Sequence, residues 1–197
     1  MADNLSIDRR TSALLVMDFQ TLIVDNYAAD ATALLNRTAK LIAAARIAGI
    51  PVIYVVVGFR PGYPEVSDRN ATFKGLKASG ALAAGAESAK IHPAVAPLAE
   101  EIVVTKHRVS AFAGTDLDLI LRAKGIETLM LTGIITSGVV LSTLRHAADA
   151  DYRLLVVGDC CSDRDEETHR VLLEKVFPWQ AIIITAAELE QAIGARR

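Results

Sequence analysis

The stretch from Glu127 to Thr143 reads ETLMLTGIITSGVVLST. Leu129, Met130 and Leu131, bracketed by Thr128 and Thr132, have the length and bracketing of a buried strand. The run stops at Gly133. Ile134, Ile135, Thr136 and Ser137 follow, and after Gly138 apolar residues recur at helical spacing. A strand that turns sharply into a helix places backbone N–H groups and one side chain at the mouth of a sheet, where α/β proteins bind and transform ligands. This mouth holds no cysteine, histidine or lysine. Val139 sits where a nucleophile would be expected.

Outward from this stretch, short β-type runs alternate with amphipathic segments. Ala13–Met17 is apolar and ends at Asp18; Val52–Val57 is strongly β-branched; Ile102–Thr105 ends at Lys106. Leu154–Val157 ends at Gly158 and Asp159, and Ala181–Ile184 is the last such run. Between them, Thr32–Ala48 carries Leu34, Leu35, Thr38, Leu41, Ile42 and Ala45 at helical spacing and stops at Gly49 and Pro51. Asp116–Lys124 and Asp165–Val176 predict further helices, and Thr185 with Glu188 forms a capping box for a final one. Counting the opening stretch, six apolar strands alternate with helices. This predicts a three-layer α/β/α sandwich with a six-stranded parallel sheet, Rossmann-like, in the order 3-2-1-4-5-6. In that order the first and fourth strands are neighbours, so Asp18, Lys106 and the Gly133 turn share one sheet edge. Residues 58–99 contain no sustained strand and are rich in Gly and Pro, the pattern of a functional loop or contact arm.

The 197 residues, 52% hydrophobic, suit a single domain over 1–197 with a full core. A net charge of −2 argues against nucleic acid as a partner. The polar start MADNLSIDRR has no apolar centre and no long apolar run follows, so neither a leader nor a membrane span is expected and the predicted compartment is the cytoplasm. Cys160 and Cys161 are adjacent, which disfavours a bridge between them; read as half-buried residues just beyond the fifth strand, they have Asp159 and Asp163 nearby to discourage a thiolate. The histidines at 92, 107, 146 and 169 show no metal-ligand spacing, and His146 and His169 read as helix-surface or core-edge residues. Trp179 reads as packing or an oligomer contact. No metal and no cofactor are expected.

A carboxylate at the end of a buried parallel strand loses solvation, which raises its pKa unless a cation answers it. Asp18 is placed there, and Lys106 could be that cation, or could hold an anionic substrate. Gly133 and Gly138 have the spacing of a phosphate loop, but Val139 and Val140 replace the Lys and Ser or Thr such a loop needs. The backbone N–H groups of the turn could still stabilise an oxyanion.

Four pieces together resemble the isochorismatase-like hydrolases, a superfamily that includes cysteine hydrolases of nicotinamide, ureido and carbamoyl compounds. They are ALLVMDFQ with Asp18, IVVTKHRVSAF with Lys106, GTDLDLILRAKGIETLMLTG, and TSGVVLSTLRHAADADYRLLVVGDCCSDRDEETHRVLLEKVFP. The resemblance covers roughly Thr11 to Glu190 and implies a cis peptide between Ile134 and Ile135. It also implies that the nucleophilic cysteine falls three residues after Thr136, on Val139, which has no nucleophilic atom. The Asp-x-His of metal-binding members is missing from VVVGFRPGYPEV. Isochorismatases proper, which also lack the cysteine, imply protonation by the Asp with water completing the reaction; Asp18 and Lys106 are the two residues that route needs.

The leading expectation is therefore thiol-independent hydrolysis of a small, anionic or carbonyl-bearing metabolite. Asp18 is the acid/base, Lys106 its partner, and Ile135 and Val139 supply backbone N–H groups. Phe19, Tyr27, Phe112, Thr136 and Ser137 are candidates to line the substrate pocket. The alternatives are a non-catalytic ligand-binding protein on the same fold, or an amidase-type hydrolase using Ser137 or Thr136. A homodimer or homotetramer is expected.

Overall fold

The structure, a computed structural model, describes residues 5–194. Six parallel strands form one sheet in the order β3-β2-β1-β4-β5-β6, as the alternation of runs predicts. They are β1 (Ser12–Met17), β2 (Val52–Val57), β3 (Ile102–Lys106), β4 (Thr128–Ile134), β5 (Arg153–Ser162) and β6 (Ile182–Ile184). The helices are α1 (Thr21–Tyr27), α2 (Ala31–Ile47), α3 (Ala71–Ser79), α4 (Leu117–Ala123), α5 (Leu141–Asp149), α6 (Glu166–Val171) and α7 (Ala186–Gly194).

Side chains alternate across the sheet and divide the core in two. Leu14, Val16 and Tyr54 point to the face covered by α1, α2 and α7, where Leu41, Ile42 and Leu189 pack. Ala13, Leu15, Met17, Ile53 and Val55 point to the other face, against Leu117 and Leu121 of α4, Leu144 and Ala147 of α5, and Leu172 and Phe177. Since both faces are covered, β1 and β4 are buried along their whole length, which is why Ala13–Met17 and Leu129–Leu131 lack the alternation of a half-exposed strand.

Local chemistry sets the helix limits. Asp30 caps α2 by accepting from the Ala33 N–H at 3.0 Å, and Gly49, with φ +71°, supplies the left-handed residue beyond its end. The buried side chains of α2 are Leu34, Leu35, Thr38, Leu41, Ile42 and Ala45, the set its spacing predicts. At α7 the Thr185 N–H donates to Glu188 (2.7 Å) and the Glu188 N–H donates to Thr185 Oγ1 (3.2 Å), closing the predicted capping box.

One expectation is filled in and one corrected. The 58–99 connection forms no named strand, as its sequence predicts, but it contains α3, capped by the Asn70 side chain on the Phe73 N–H at 3.1 Å and ended by Gly80 at φ +68°. The connection is tied to the sheet through Gln20, whose Nε2 donates to the Val57 and Ala89 carbonyls at 2.9 and 2.6 Å, and through a Gln20–Ile91 bridge. The fifth strand, in turn, does not stop at Gly158. Leu131 pairs with Val156 and Gly133 with Cys161, so β5 bulges over the intervening residues and then rejoins β4. A Cβ at Gly158 would lie 3.2 Å from Leu173 Cδ1, so the bulge packs closely against that side chain. Cys160 and Cys161 therefore lie within β5, and both are buried.

Candidate active site

The C-terminal ends of β1, β3 and β4 converge. Asp18 follows β1 with φ +59°, a left-handed conformation that turns the chain out of the sheet and that aspartate tolerates better than most residues. Its N–H still donates to the Val55 carbonyl at 2.8 Å, so the residue stays fixed to β2. Lys106 ends β3, and its Nζ reaches past the end of β2 to Asp18 Oδ2 at 2.8 Å, with a second bond to the Arg108 carbonyl at 3.1 Å. Asp18 is 5% exposed and Lys106 3%. Burial raises the Asp18 pKa, and the attraction of Lys106 offsets this only in part. Asp18 Oδ1 is buried and has no hydrogen-bond partner among the described residues.

Beside Asp18, Met17 pairs with Gly133 of β4. A Cβ at Gly133 would sit 3.2 Å from the Met17 carbonyl and 3.1 Å from Val140 Cγ2, so this strand end requires glycine for close packing. The Ile134–Ile135 peptide is cis, where the resemblance puts it. Residues Thr136–Val140 then form one wide π-type turn that runs into α5. Within it the Gly138 and Val140 N–H groups donate to the Ile135 carbonyl at 3.0 and 3.3 Å. The Ser137 N–H donates to Asp163 Oδ2 at 2.7 Å. Val139 is 2% exposed. Val109, three residues after Lys106, lies 4.0 Å from where a Gly138 Cβ would stand, which brings the β3 exit up against the turn.

The remaining sequence candidates fall in several different surroundings. Phe19 is buried in the core beneath α1 and α2. Tyr27, at the end of α1, lies under the Arg164 guanidinium at 5.7 Å, and its carbonyl accepts from Ser162 Oγ at 3.3 Å. Phe112 stacks on His146 of α5 at 4.6 Å between ring centres. Ser137 is exposed, whereas Thr136 is fully buried with its hydroxyl 2.8 Å from His169 Nδ1. Sequence reading took His169 for a helix-surface or core-edge residue and Asp163 only for a neighbour of the cysteines; their bonds to the turn depend on the β5 bulge. It also left Gln20 unassigned, though a polar residue two places after Asp18 was a signal. Among the described residues, no three His, Cys, Asp or Glu side chains gather to hold a metal ion, and no helix is long and apolar enough to cross a membrane.

A family model, the isochorismatase domain, matches residues 12–188. The chain belongs to the isochorismatase family. It is 33% identical over 192 residues to the isochorismatase family protein YecD of Escherichia coli O157:H7, covering 96% of this chain and 100% of that one. It is 30% identical over 212 residues to the ureidoacrylate amidohydrolase RutB of Methylobacterium radiotolerans, covering 96% and 82% of the two chains. The fold is like that of a cysteine hydrolase from Pseudomonas syringae pv. phaseolicola 1448A, with a TM-score of 0.89 at 22% identity over 97% of this chain and 96% of that one. Membership of the isochorismatase family supports a hydrolase of small metabolites.

Proposed function

We propose that this isochorismatase-family protein hydrolyses a small anionic or carbonyl-bearing metabolite without a thiol, with Asp18 as general acid/base and Lys106 as its electrostatic partner. The observation that carries this reading is the Asp18 carboxyl itself: one oxygen is held by Lys106 and the other is buried with no partner. Such an oxygen is costly to leave idle and is suited to pass a proton to a bound molecule. In the reaction, water adds at the reacting carbon, and Asp18 gives its proton to the leaving atom as its bond to that carbon breaks. The added water returns a proton to Asp18, while Lys106 stabilises the carboxylate in between.

Where the reacting group is a carbonyl, the turn supplies N–H groups to its oxygen. Ser137 donates to Asp163, and Gly138 and Val140 donate to the Ile135 carbonyl; we assign the role to Ile135 and Val139. Phe19, Tyr27, Phe112, Thr136 and Ser137 are assigned to the substrate's surroundings. By the resemblance, Val139 occupies the thiol's position. The name of the relative RutB, a ureidoacrylate amidohydrolase, favours small amides and ureido compounds as the first substrates to try.

The test is turnover of a panel of small carboxylate-bearing amides, ureido compounds and vinyl ethers, followed by NMR. Turnover is expected to survive iodoacetamide treatment and to fall at least roughly 100-fold in Asp18→Asn. Burial raises the Asp18 pKa, so the acid form persists above the ordinary carboxylate range. The rate is then lost as pH rises through that raised value, on a limb that Asp18→Asn lacks. Undiminished turnover in Asp18→Asn overturns the assignment, and binding by thermal shift without turnover identifies a ligand-binding protein instead.

A further inference from the structure

Two side chains with no part in the chemistry above grip the turn from the far side. His169 Nδ1 on α6 lies 2.8 Å from Thr136 Oγ1, and Asp163 Oδ2 accepts from the Ser137 N–H at 2.7 Å. Thr136 is fully buried and Asp163 only 8% exposed, so water competes little for either bond. One bond holds a side chain and the other a backbone N–H on the next residue. Together they fix both the position and the rotation of the intervening peptide.

The β5 bulge puts these groups in place. It brings Cys161 opposite Gly133 and Ser162 opposite Ile134, so Asp163 emerges beside the turn. Asp165 then caps α6, accepting from the Thr168 N–H at 3.0 Å, which sets the direction in which His169 leaves the helix. Burial lowers the His169 pKa against the pull of Asp163 and Glu166, which favours a neutral imidazole beside the turn.

We propose that Asp163 and His169 are positioning residues that hold the 135–140 turn so that its backbone N–H groups face the reacting group. The proposal rests on the reading of Asp18 and the turn as the reaction site. Without Asp163 the Ser137 N–H loses its acceptor; without His169 the buried Thr136 hydroxyl loses its partner. In either case the turn is free to rotate by the fraction of an ångström to which such N–H groups are sensitive.

The experiment compares Asp163→Ala, Asp163→Asn, His169→Ala and Asp18→Asn by kinetics, with ureidoacrylate as probe, and by hydrogen–deuterium exchange of peptides spanning 134–141. Asp163→Ala and His169→Ala are expected to lower kcat roughly 10- to 100-fold with KM within about 2-fold, and to speed exchange in the turn. Asp163→Asn keeps an oxygen acceptor and is expected to recover most of kcat and of the protection. Asp18→Asn should abolish turnover yet leave exchange as in the parent, which separates failure of the acid/base reading from failure of this one. Parental kcat and exchange in Asp163→Ala, with only a lower melting temperature, overturn the proposal. If ureidoacrylate is not turned over, exchange decides: parental protection in both alanine variants overturns it, and lost protection rescued by Asp163→Asn supports it.

Discussion

Val139 carries two methyl groups where the resemblance places a thiol, while the acid and the lysine around that position are in contact at 2.8 Å. The two native thiols are poor substitutes. Burial pushes Cys160 up to about 12 and Cys161 higher still, and the two point into opposite cores. The parent protein is therefore expected to show no reactive thiol under native conditions and two in guanidinium, read with a chromogenic disulfide. Val139→Cys is expected to add one thiol that iodoacetamide alkylates in the folded protein, at a stability cost of about 1 kcal/mol for the lost methyl group. Peptide mapping locates the label. If residue 139 stays unlabelled while folded, small molecules do not reach the turn at that position. Asp18 and Lys106 were legible in the sequence because a charged residue directly after a buried apolar run is conspicuous. Their pairing followed from the strand order.

At the scale of elements, the junction of β4 with its turn depends on the absence of a side chain at Gly133. Gly133→Ala brings a methyl group to 3.2 Å from the Met17 carbonyl, a backbone atom that cannot swing aside. A loss of about 1–3 kcal/mol is expected, measured as a lower urea midpoint at unchanged slope. An unchanged midpoint would mean that β1 and β4 can part at the site without cost. The elements that were legible have periodicity in one clean register, as in α2. Those missed have contrary punctuation. Gly158 and Asp159 read as the end of a strand, although β5 bulges and continues; Gly75 and the surrounding Gly and Pro residues hid α3. The seven-residue α1 has no acidic first turn and no side-chain cap to announce it. The grip of Asp163 and His169 on the turn was hidden for the same reason, since it exists only once β5 has bulged.

At the scale of the molecule, both cores share one sheet, so neither survives without the other's strands. Most of the fold was legible because sheet order follows from connectivity and handedness more than from any particular contact. Trp179 stands apart from both cores, 86% exposed beyond Phe177. Its native emission is expected at the position of water-exposed indole and should scarcely move on unfolding, while circular dichroism at 222 nm is lost in a single transition. A blue-shifted native spectrum that reddens on dilution would place a second copy over that face.

The bond between Lys106 and Asp18 joins the ends of β3 and β1 across the edge of β2, and the turn beside them needs β4 and the far end of β5. As the chain leaves the ribosome, its acid emerges long before its lysine, and the residues that clamp the turn emerge later still. No early fragment contains the whole of the proposed site, which is assembled only when most of the sheet has been made.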